Sequence, residues 1–458
     1  MIKWLLERMA AAGDRPAVAE GTAITEYRRL LDRVGWWRRA LADSGVVGRV
    51  VSIEGEYGVE SIAAFLAAME ARNVLVPICS ASRVHAGEFL DVAQVEFRIR
   101  LDEGILQSQS SVSGSVSIST SVGATARVAS HEHYTALQTT GRPGLVLFSS
   151  GSTGRHKAAV HDLHALLQKF TVRRHCYRTL VFLQLDHIGG VNTLFYTLAN
   201  AGTVVVAQGR MPREVCEAIE RHRVELLPTS PTFLNLLLLS EEHRRHDLSS
   251  LRLITYGTEP MPAITLEKVH AAFPSVRLLQ TYGLSELGIL RSQSRGDNSL
   301  WMRVGGEGYE TKIVDGRLWI KAQSAMLGYL NAPSPFDADG FFDTGDLVEV
   351  DGEWIHILGR NSEIINVGGQ KVFPAQVENT LLELDNVEDV AVRGIPNALT
   401  GQAVAAIVRL ANYEPPASFK ARMRLFCRDR LAPYQIPVKV EFATSLHSDR
   451  FKKMRTAV

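Results

Sequence analysis

Short apolar segments that alternate with helical segments constrain the fold of this chain more than any other feature. VVSI (50–53) and VLVPI (74–78) have the composition of buried strands, and VESIAAFLAAMEAR (59–72) between them has helical spacing. A strand–helix–strand unit of this kind is typical of α/β folds. The alternation resumes after residue 150, where we predict a helix over 213–222 and strands at 179–185, 203–207, 224–230, 251–257 and 276–283.

Three other stretches give less regular patterns. Residues 1–16 carry charges among apolar positions, which predicts an amphipathic helix and not a signal peptide. The segment 28–45 has helical spacing and ends on a glycine. The serine-rich segment 107–125 alternates with apolar residues, so that a polar-faced strand and a loop both fit it. We expect a loop there.

The pattern changes to short strands from about residue 301. VDGR and VDGE are typical of hairpin turns, and beyond residue 360 a helix at 374–384 and a strand at 403–410 are predicted. We therefore predict an α/β protein with two domains. Residues 1–359 would form a large N-terminal domain of α/β subdomains plus a β-rich subdomain. Residues 360–458 would form a small mobile α+β domain, with a hinge near 360–363.

Composition excludes several classes of function. The 458 residues carry a formal net charge of +1, which argues against a general binder of nucleic acid or acidic membranes. No apolar run approaches the ~20 residues that a membrane helix needs. The cysteines form no CxxC or Cys/His cluster, which argues against a disulfide framework or a zinc site and favours a cytoplasmic location. They are Cys79, Cys176, Cys216 and Cys427.

A loop rich in glycine and hydroxyl residues follows the apolar run LVLF (145–148). The sequence SSGSTGRHK combines glycines, which allow backbone amides to approach an anion, with hydroxyl donors and a lysine. The spacing of Gly151, Gly154 and Lys157 does not match the GxxxxGK[ST] of a P-loop kinase, and no GxGxxG is present. From this stretch alone, a phosphate-binding loop and a flexible serine–glycine loop both remain open.

Further motifs follow in order along nearly the whole chain. Together with the loop, they resemble the signature elements of the acyl-adenylate-forming superfamily, which includes acyl-CoA synthetases, adenylation domains of peptide synthetases and luciferases. The matching stretches are DRPAV, ITEYRRL, SSGSTGRHK, TYGLSELG, FFDTGDL, LGRNSEIINVGGQKVFPAQVE, LAPYQIP and RFKKMR. The loop departs from the family pattern at His156, where a proline is usual, and at Ala158, where a glycine is usual.

The resemblance implies that a carboxylate attacks the α-phosphate of ATP, giving acyl-AMP and pyrophosphate, and that a thiol then takes the acyl group. The loop would hold the β- and γ-phosphates, Glu286 would hold Mg²⁺, and Ser285 would contact the α-phosphate. Asp346 would accept the ribose hydroxyls with Arg360 beside it. The implied ATP-binding residues are Ser149, Ser150, Gly151, Ser152, Thr153, Gly154, Lys157, Gly257, Thr258, Glu259, Tyr282, Gly283, Asp346 and Arg360.

The resemblance implies that a lysine in the tail serves the adenylation step and that a glycine loop serves the thiol step. Aligning the family's GKIxR with FKKMR places the catalytic lysine at Lys452, while Lys453 remains an alternative. In the family the small domain rotates after adenylation and brings a glycine loop to the site. NVGGQKV fits that loop, so that Gly368 and Gly369 would lie beside the pantetheine arm of CoA or of a carrier protein.

The acyl pocket of the family begins where LQLDHIGGVNT lies. Amino-acid-activating domains carry an aspartate at the position of His187, and Asp186 is one residue early, which favours an acid without an α-amino group. Aryl, medium-chain and specialised acids all remain possible. The implied pocket residues are His187, Gly189, Asn192, Tyr256 and Leu284.

The resemblance therefore predicts an acid–CoA ligase that uses ATP, Mg²⁺ and CoA and acts on a small carboxylic acid. An alternative is an enzyme that loads the acid onto the phosphopantetheine of an acyl or peptidyl carrier protein. A third hypothesis, of another class, is a non-catalytic homologue that binds ATP or acyl-AMP; the altered FKKMR tail supports it, and the retained Glu286 and Asp346 argue against it.

Overall fold

The fold is known from a computed structural model that describes residues 2–101, 116–120, 129–150, 156–448 and 453. Most of the predicted helices are present in these residues, and their ends differ from the predicted ends by only a few residues. The α-helices are α1 Lys3–Ala12, α2 Tyr27–Asp43, α3 Val59–Glu70, α4 Ala86–Val92, α5 Glu132–Thr140, α6 Leu163–Leu167, α7 Ile188–Ala199, α8 Pro212–His222, α9 Pro231–Ser240, α10 Ala263–Ala272, α11 Pro374–Leu382 and α12 Pro416–Cys427.

The strands of the first two-thirds of the chain are mostly short, as in other α/β folds. They are β1 Pro16–Glu20, β2 Ala23–Glu26, β3 Val50–Glu54, β4 Val74–Ile78, β5 Phe97–Leu101, β6 Val116–Thr120, β7 Gly144–Ser150, β8 His156–Asp162, β9 Arg178–Leu180, β10 Thr203–Val206, β11 Leu226–Thr229, β12 Leu253–Tyr256, β13 Arg277–Gln280, β14 Gly283–Leu284, β15 Gly288–Ile289 and β16 Ser292–Ser294.

The remaining strands lie in the β-rich region and the C-terminal part. They are β17 Trp301–Val304, β18 Tyr309–Val314, β19 Arg317–Ala322, β20 Gly328–Tyr329, β21 Phe342–Asp351, β22 Trp354–Arg360, β23 Ile365–Val367, β24 Gln370–Val372, β25 Val387–Asn397, β26 Gly401–Leu410 and β27 Lys439–Phe442.

The predicted strand–helix–strand unit is confirmed and forms the centre of a seven-stranded sheet. Strands β3 and β4 pair in parallel through five residue pairs, from Val50↔Val74 to Glu54↔Ile78, and α3 connects them. The strand order of this sheet is β20-β8-β7-β4-β3-β5-β6. Every residue of α3 from Ser61 to Met69 is buried, which explains why its sequence is apolar around the whole helix.

A second seven-stranded sheet has the order β13-β12-β11-β9-β10-β1-β2. The predicted strand at 179–185 is wrong beyond Leu180. The Phe182 amide turns back to the Leu180 carbonyl, and the chain leaves the sheet to enter α7 at His187. Residues 181, 182 and 185 are apolar because they are buried in the core next to the sheet, not because they continue the strand.

The two sheets stack with helices between them and on both outer faces. One core cluster joins residues of both sheets through α2, α3 and α7. A second cluster packs α8, α9 and α10 on the outer face of one sheet, and a third packs α4 and α5 on the outer face of the other. This layering buries the parallel strands at the centre of each sheet between helices on both faces, as parallel strands require.

The expectation of a loop over 107–125 is wrong for its central part. Residues Val116–Thr120 form β6, which pairs antiparallel with β5 from Phe97↔Thr120 to Leu101↔Val116. The period-two alternation of this segment fits an edge strand of the first sheet. The flanking parts of the segment lie outside the described residues.

The β-rich region is a six-stranded antiparallel sheet of order β16-β17-β22-β21-β19-β18. Both predicted hairpins are present in it. Asp315 and Gly316, at the turn between β18 and β19, have φ values of 51° and 74°, as an Asp-Gly hairpin turn of two positive φ angles requires.

The C-terminal part forms a small α+β domain with its own sheet and core. The sheet has the order β24-β23-β26-β25, with β27 on β26, and α11 and α12 contribute to its core. The predicted fold class, a large N-terminal domain with a smaller C-terminal one, is confirmed. The division between residues 359 and 360 and the hinge stay predictions. No helix in the described parts of the chain combines the length and apolar character needed to cross a bilayer.

Candidate active site

Most of the predicted site residues that the structure describes lie around one cavity of about 980 Å³. Strand ends and loops from both stacked sheets, the N-terminus of α7 and the tail of the chain contribute to its wall. The predicted residues that line it are Ser149, Lys157, His187, Gly189, Asn192, Gly257, Thr258, Gly283, Leu284, Ser285, Glu286 and Arg360. Motifs more than 200 positions apart are thus brought together by the fold.

The predicted phosphate loop lies in sequence between two paired strands whose ends, at Ser149 and at His156 and Lys157, line this cavity. Strands β7 and β8 are antiparallel, and Ser149 and Ser150 pair with Lys157 and His156. Gly151, Ser152, Thr153 and Gly154 lie outside the described residues. His156 Nδ1 lies 3.2 Å from Glu88 Oε2, so this residue, which departs from the family pattern, contacts the first turn of α4.

Tyr329 connects two of the charged residues predicted to handle phosphates. Its hydroxyl donates a hydrogen bond to Glu286 Oε1 at 2.7 Å, and Lys157 Nζ lies 5.2 Å from the centre of its ring. Burial and the Glu286 carboxylate raise the pKa of Tyr329, so that the phenol stays a donor. Glu286 Oε2 has no hydrogen-bond partner among the described residues, which leaves its lone pairs available to a cation.

His161 fixes the backbone next to Glu286. Its Nε2 lies 2.6 Å from the carbonyl oxygen of Ser285. Because a carbonyl can only accept, Nε2 carries the proton. Complete burial lowers the pKa of His161 to about 4, so that the ring is neutral at physiological pH. This hydrogen bond from His161 to the main-chain carbonyl therefore fixes the position of Ser285, which is predicted to contact the α-phosphate.

A second cavity of about 370 Å³ adjoins the first and contains the predicted nucleoside residues. The Tyr282 hydroxyl donates to Asp346 Oδ2, and Arg360 Nε lies 3.4 Å from Asp346 Oδ1. Burial raises the pKa of Asp346, while Arg360 and Tyr282 oppose that shift. Burial also raises the pKa of Tyr282 well above its usual value, which keeps the phenol protonated.

The loop after β12 forms the other side of this second cavity. Gly257, Thr258 and Glu259 all line it, and Thr258 has a φ of 75°, an uncommon backbone conformation for threonine. A Cβ on Gly257 would lie 2.6 Å from the Thr281 carbonyl oxygen. Only glycine therefore allows the two loops to approach this closely.

Glu259 also holds the tail of the chain. Its Oε1 accepts a hydrogen bond from the Thr232 amide at 2.8 Å, and its Oε2 accepts one from the Lys453 amide at 3.1 Å. The Lys453 ammonium lies 3.4 Å from Asp389 Oδ1 and 3.8 Å from Glu378 Oε2. Its charge is therefore matched by buried carboxylates of the small domain. Lys452 lies outside the described residues.

The start of α7 forms the predicted acyl end of the larger cavity. His187 is the N-cap, and its Nδ1 accepts a hydrogen bond from the Gly189 amide at 3.0 Å. Asp186 instead accepts a hydrogen bond from Ser82 at 2.6 Å and is buried. A Cβ on Gly190 would lie 1.9 Å from the Gln184 carbonyl oxygen, so glycine is required for this tight turn into the helix.

Three predicted residues lie elsewhere. Tyr256 is 1% exposed and packs in the core between β12 and the outer helices. The described residues that line the cavity at this point include its neighbours Thr255 and Gly257 instead, because successive side chains of a strand point to opposite faces. Gly368 and Gly369 form the turn between β23 and β24, with positive φ values of 59° and 86°, and neither borders the two cavities.

Sequence reasoning missed three residues of this region: Lys169, Tyr329 and His161. Lys169 Nζ donates to Asn192 Oδ1 at 2.5 Å and to the Ile289 carbonyl at 2.7 Å. Only Tyr329, in SAMLGYLNAP, stands in a local pattern of small and turn residues that could have drawn attention to it. The partners of Lys169 and His161 are more than 20 positions away in sequence.

Comparisons with known proteins identify the family of the chain. The model of the family described as AMP-binding enzyme matches residues 5–330, and the model of the AMP-binding enzyme C-terminal domain matches residues 376–453. The chain therefore belongs to the family of AMP-binding enzymes, as the sequence motifs predicted.

Similar sequences are named as CoA ligases. The indoleacetate–CoA ligase of Aromatoleum aromaticum is 29% identical over 337 residues, which are 69% of this chain and 64% of that protein. The 4-coumarate–CoA ligase-like 2 of Arabidopsis thaliana is 30% identical over 331 residues, 66% of this chain and 58% of that protein. The chain matches less than two-thirds of the length of each.

Solved structures share the fold over nearly the whole chain. An anthranilate CoA ligase in complex with anthranoyl-AMP has a TM-score of 0.80 at 21% identity, covering 98% of this chain and 95% of that one. The o-succinylbenzoate CoA synthetase of Bacillus subtilis, in complex with its acyl-adenylate intermediate, has a TM-score of 0.76 at 22% identity, covering 99% and 96%.

Proposed function

We propose that this protein is an AMP-forming acid–thiol ligase that activates a small carboxylic acid with ATP and transfers the acyl group to CoA. In the first step, a carboxylate oxygen of the acid attacks the α-phosphorus of ATP and pyrophosphate leaves. In the second step, the sulfur of a thiol attacks the carbonyl carbon of the acyl-AMP and AMP leaves. The mixed anhydride is needed because a free carboxylate is a poor electrophile.

One observation carries this proposal: the phosphate-side and acyl-side residues line the same cavity, which shares walls with the nucleoside cavity. Lys157 and Glu286 lie in one cavity with His187 and Asn192. The shared wall consists of Gly257, Thr258, Thr281, Gly283, Leu284, Arg360 and Lys453. A nucleotide and an acid bound there would meet between Glu286 and the start of α7, as in-line attack on an α-phosphate requires.

The nucleoside end would bind through groups that are already in position. Asp346, held by Tyr282 and Arg360, offers a carboxylate to ribose hydroxyls. Tyr282 and the loop from Gly257 to Glu259 would flank the adenine. Because Tyr282 is fixed by its hydrogen bond, little side-chain entropy is lost when the base binds.

The phosphate end suits a hard cation. Glu286 is an oxygen ligand at the cavity wall with one carboxylate oxygen unpaired among the described residues, and Mg²⁺ is commonly held by one or two carboxylates together with phosphates. A bound Mg²⁺ would neutralise charge on the phosphates as pyrophosphate leaves. Lys157 and the loop Gly151, Ser152, Thr153 and Gly154 would hold the outer phosphates, and Tyr329 would keep Glu286 in place.

The small domain would supply a group to each step. We propose Lys452 as the catalytic lysine that stabilises charge on the α-phosphate, since the Lys453 ammonium lies beside Glu378 and Asp389. Gly368 and Gly369, which lie away from both cavities, would reach the thiol path after a rotation about the hinge near 360–363. A division into domains 1–359 and 360–458 is part of this proposal.

CoA is the proposed acceptor because similar sequences are named as CoA ligases. A carrier-protein phosphopantetheine would present the same thiol through the same arm, and an acceptor assay separates the two. Similar proteins are named as ligases of aryl and other acids, so the substrate class of this chain depends on which groups its acyl wall offers.

Pyrophosphate release tests the proposal. The protein would be incubated with ATP, Mg²⁺ and a panel of aryl and alkyl acids, with and without CoA. We expect acid-dependent release, thioester formation with CoA, and a loss of about a hundredfold or more in Glu286→Gln. The matched control is Glu307→Gln, an exposed glutamate in the turn before β18, which should retain the activity of the unmodified protein.

Each alternative has its own outcome. Acid-dependent pyrophosphate release without formation of a CoA thioester would indicate that the acceptor is a carrier protein and not CoA. ATP binding without release, for every acid in the panel, would overturn the enzyme proposal in favour of a non-catalytic binding protein.

A further inference from the structure

A lysine lies behind the acyl end of the cavity, and no carboxylate in the described part of the chain balances its charge. Lys169 belongs to the 3₁₀ helix Gln168–Phe170 and is only partly exposed. No carboxylate of the described residues pairs with it, and the charged groups that act on it are Arg291 and Arg174. Burial and these two arginines lower the pKa of Lys169 to about 7.

Lys169 joins two elements of the cavity wall. It donates to the side chain of Asn192 on α7 and to the main chain of Ile289 on β15. Both of these residues line the cavity, whereas Lys169 itself lies behind them. Lys169 is therefore a positioning residue that fixes the distance between α7 and β15.

The lysine also determines which end of the Asn192 amide faces the cavity. Lys169 Nζ donates to the amide oxygen of Asn192, and even a neutral amine has the two N–H groups that this contact and the Ile289 carbonyl need, so the amide nitrogen points away from Lys169. The Asn192 nitrogen has no partner among the described residues and is not enclosed. The wall thus offers an N–H donor whose direction is fixed by the hydrogen bond from Lys169 to the amide oxygen.

The neighbouring polar group on the same helix face is already engaged. Gly189, Asn192 and Thr193 follow helical spacing and all line the cavity. The Thr193 hydroxyl donates to the Gly189 carbonyl at 2.8 Å. Asn192 is therefore the side chain of this face that has a donor to offer to a bound molecule.

We propose that Lys169 and Asn192 form a subsite for an acceptor oxygen on the acyl group of the substrate acid, either a neutral carbonyl or a second carboxylate. This inference rests on the proposed ligase function, because it concerns the acid bound in the same cavity. An acyl group without such an oxygen would leave the Asn192 N–H unpaired when water is expelled, and a buried donor without a partner weakens binding.

Matched acids that differ only at the far end test the subsite. The aryl series is terephthalate, para-acetylbenzoate and para-ethylbenzoate, and the alkyl pair is adipate and hexanoate. We expect kcat/KM for pyrophosphate release to be about tenfold to a hundredfold higher for the acceptor-bearing acid of at least one series. The acetyl and carboxylate arms distinguish a neutral from an anionic acceptor.

Three variants assign the preference to these residues. Asn192→Leu and Lys169→Met should each reduce the ratio of kcat/KM between matched acids about tenfold, mainly through the KM of the acid, with the KM of ATP unchanged. Lys169→Gln keeps a donor for Asn192 but removes the charge, so it should retain preference for a ketone and lose preference for a carboxylate. Lys3→Met, the same chemical change at an exposed lysine, is the control.

The outcomes separate this inference from the function on which it rests. Pyrophosphate release with equal kcat/KM for matched acids, or equal ratios in the protein and both apolar variants, would overturn the subsite and leave the ligase proposal standing. Absence of release with any acid would overturn both. If Lys169→Met does not fold, Asn192→Leu decides the question, because it removes no charge from the wall.

Discussion

The Tyr329 hydroxyl donates a hydrogen bond to Glu286 Oε1 across 2.7 Å, while the Tyr329 ring lies under the Lys157 ammonium. One side chain thus orients both a carboxylate proposed to hold Mg²⁺ and a cation proposed to hold phosphate. Such outer partners keep a metal ligand in the geometry that the ion needs.

Tyr329→Phe separates the two contacts, since phenylalanine keeps the ring and removes the hydroxyl. We expect the Mg²⁺ concentration for half-maximal activity to rise about tenfold, because Glu286 loses its orienting donor. The measurement is pyrophosphate release against Mg²⁺ at saturating ATP. Tyr309→Phe, whose hydroxyl lies near Ser324, is the control. An unchanged Mg²⁺ dependence would show that Glu286 needs no such support.

Asp346→Asn should raise the KM of ATP by about tenfold to a hundredfold. An amide cannot offer two acceptor oxygens to neighbouring hydroxyls, and hydrogen bonds to a charged group contribute more than neutral ones. Asp351→Asn changes the exposed end of the same strand and serves as the control. Initial rates at varied ATP give both values, and equal KM values in the two variants would contradict a ribose contact at Asp346.

His161 should make the protein less stable as the pH falls. Its pKa is lowered to about 4 in the folded protein, against roughly 6.5 when unfolded. The unfolded chain binds more protons between these values, so the free energy of unfolding decreases as the pH falls through this window. From pH 7 to 5, His161 accounts for a loss of about 2 kcal/mol.

The His161→Gln variant isolates this contribution, because glutamine does not titrate and can still donate to the Ser285 carbonyl. Urea unfolding at both pH values should show a smaller pH-dependent loss in the variant, by the same ~2 kcal/mol. A pH dependence equal to that of the unmodified protein would mean that the ring takes up its proton in the folded state.

Substitution of Lys453 should lower the stability of the fold, whereas substitution of Lys452 should lower the rate of adenylation. Lys453→Met leaves Glu378 and Asp389 without their cation and should destabilise the fold by roughly 3 kcal/mol, as loss of one partner of a buried pair does. Lys452→Ala should lower the adenylation rate about a hundredfold and leave the melting temperature unchanged. Thermal unfolding and pyrophosphate release measure the two effects, and a reversed pattern would make Lys453 the catalytic residue.

The sequence was sufficient for what depends on local pattern. The unit from β3 to β4, the Asp-Gly hairpin and the family motifs are contiguous stretches whose residues carry their own signal. The strand prediction was wrong after Leu180 because apolar side chains are typical both of buried loops and of strands. Only a neighbouring strand to pair with distinguishes the two cases. The loop prediction for 107–125 was wrong for the opposite reason. Its many serines are typical of a loop, although part of the segment forms an edge strand.

The partners of the site residues could not be predicted, because they are set by packing between distant segments. Nothing near Lys169 in sequence indicates that it ends beside Asn192 and Ile289, and nothing near Tyr256 indicates that its ring turns into the core. A motif identifies which residues gather at a site, whereas side-chain direction follows from the exact register of strands and helices around it.

Glu259 gives this arrangement a consequence for how the molecule responds to its ligands. One carboxylate accepts hydrogen bonds from Thr232, in the wall of the proposed nucleoside cavity, and from Lys453 in the C-terminal tail. Any bound group that draws this carboxylate away weakens the hold on the tail, and by thermodynamic reciprocity release of the tail alters affinity for that group by the same factor. Binding of such a group in the pocket and release of Lys453 are therefore coupled, so that each shifts the equilibrium of the other.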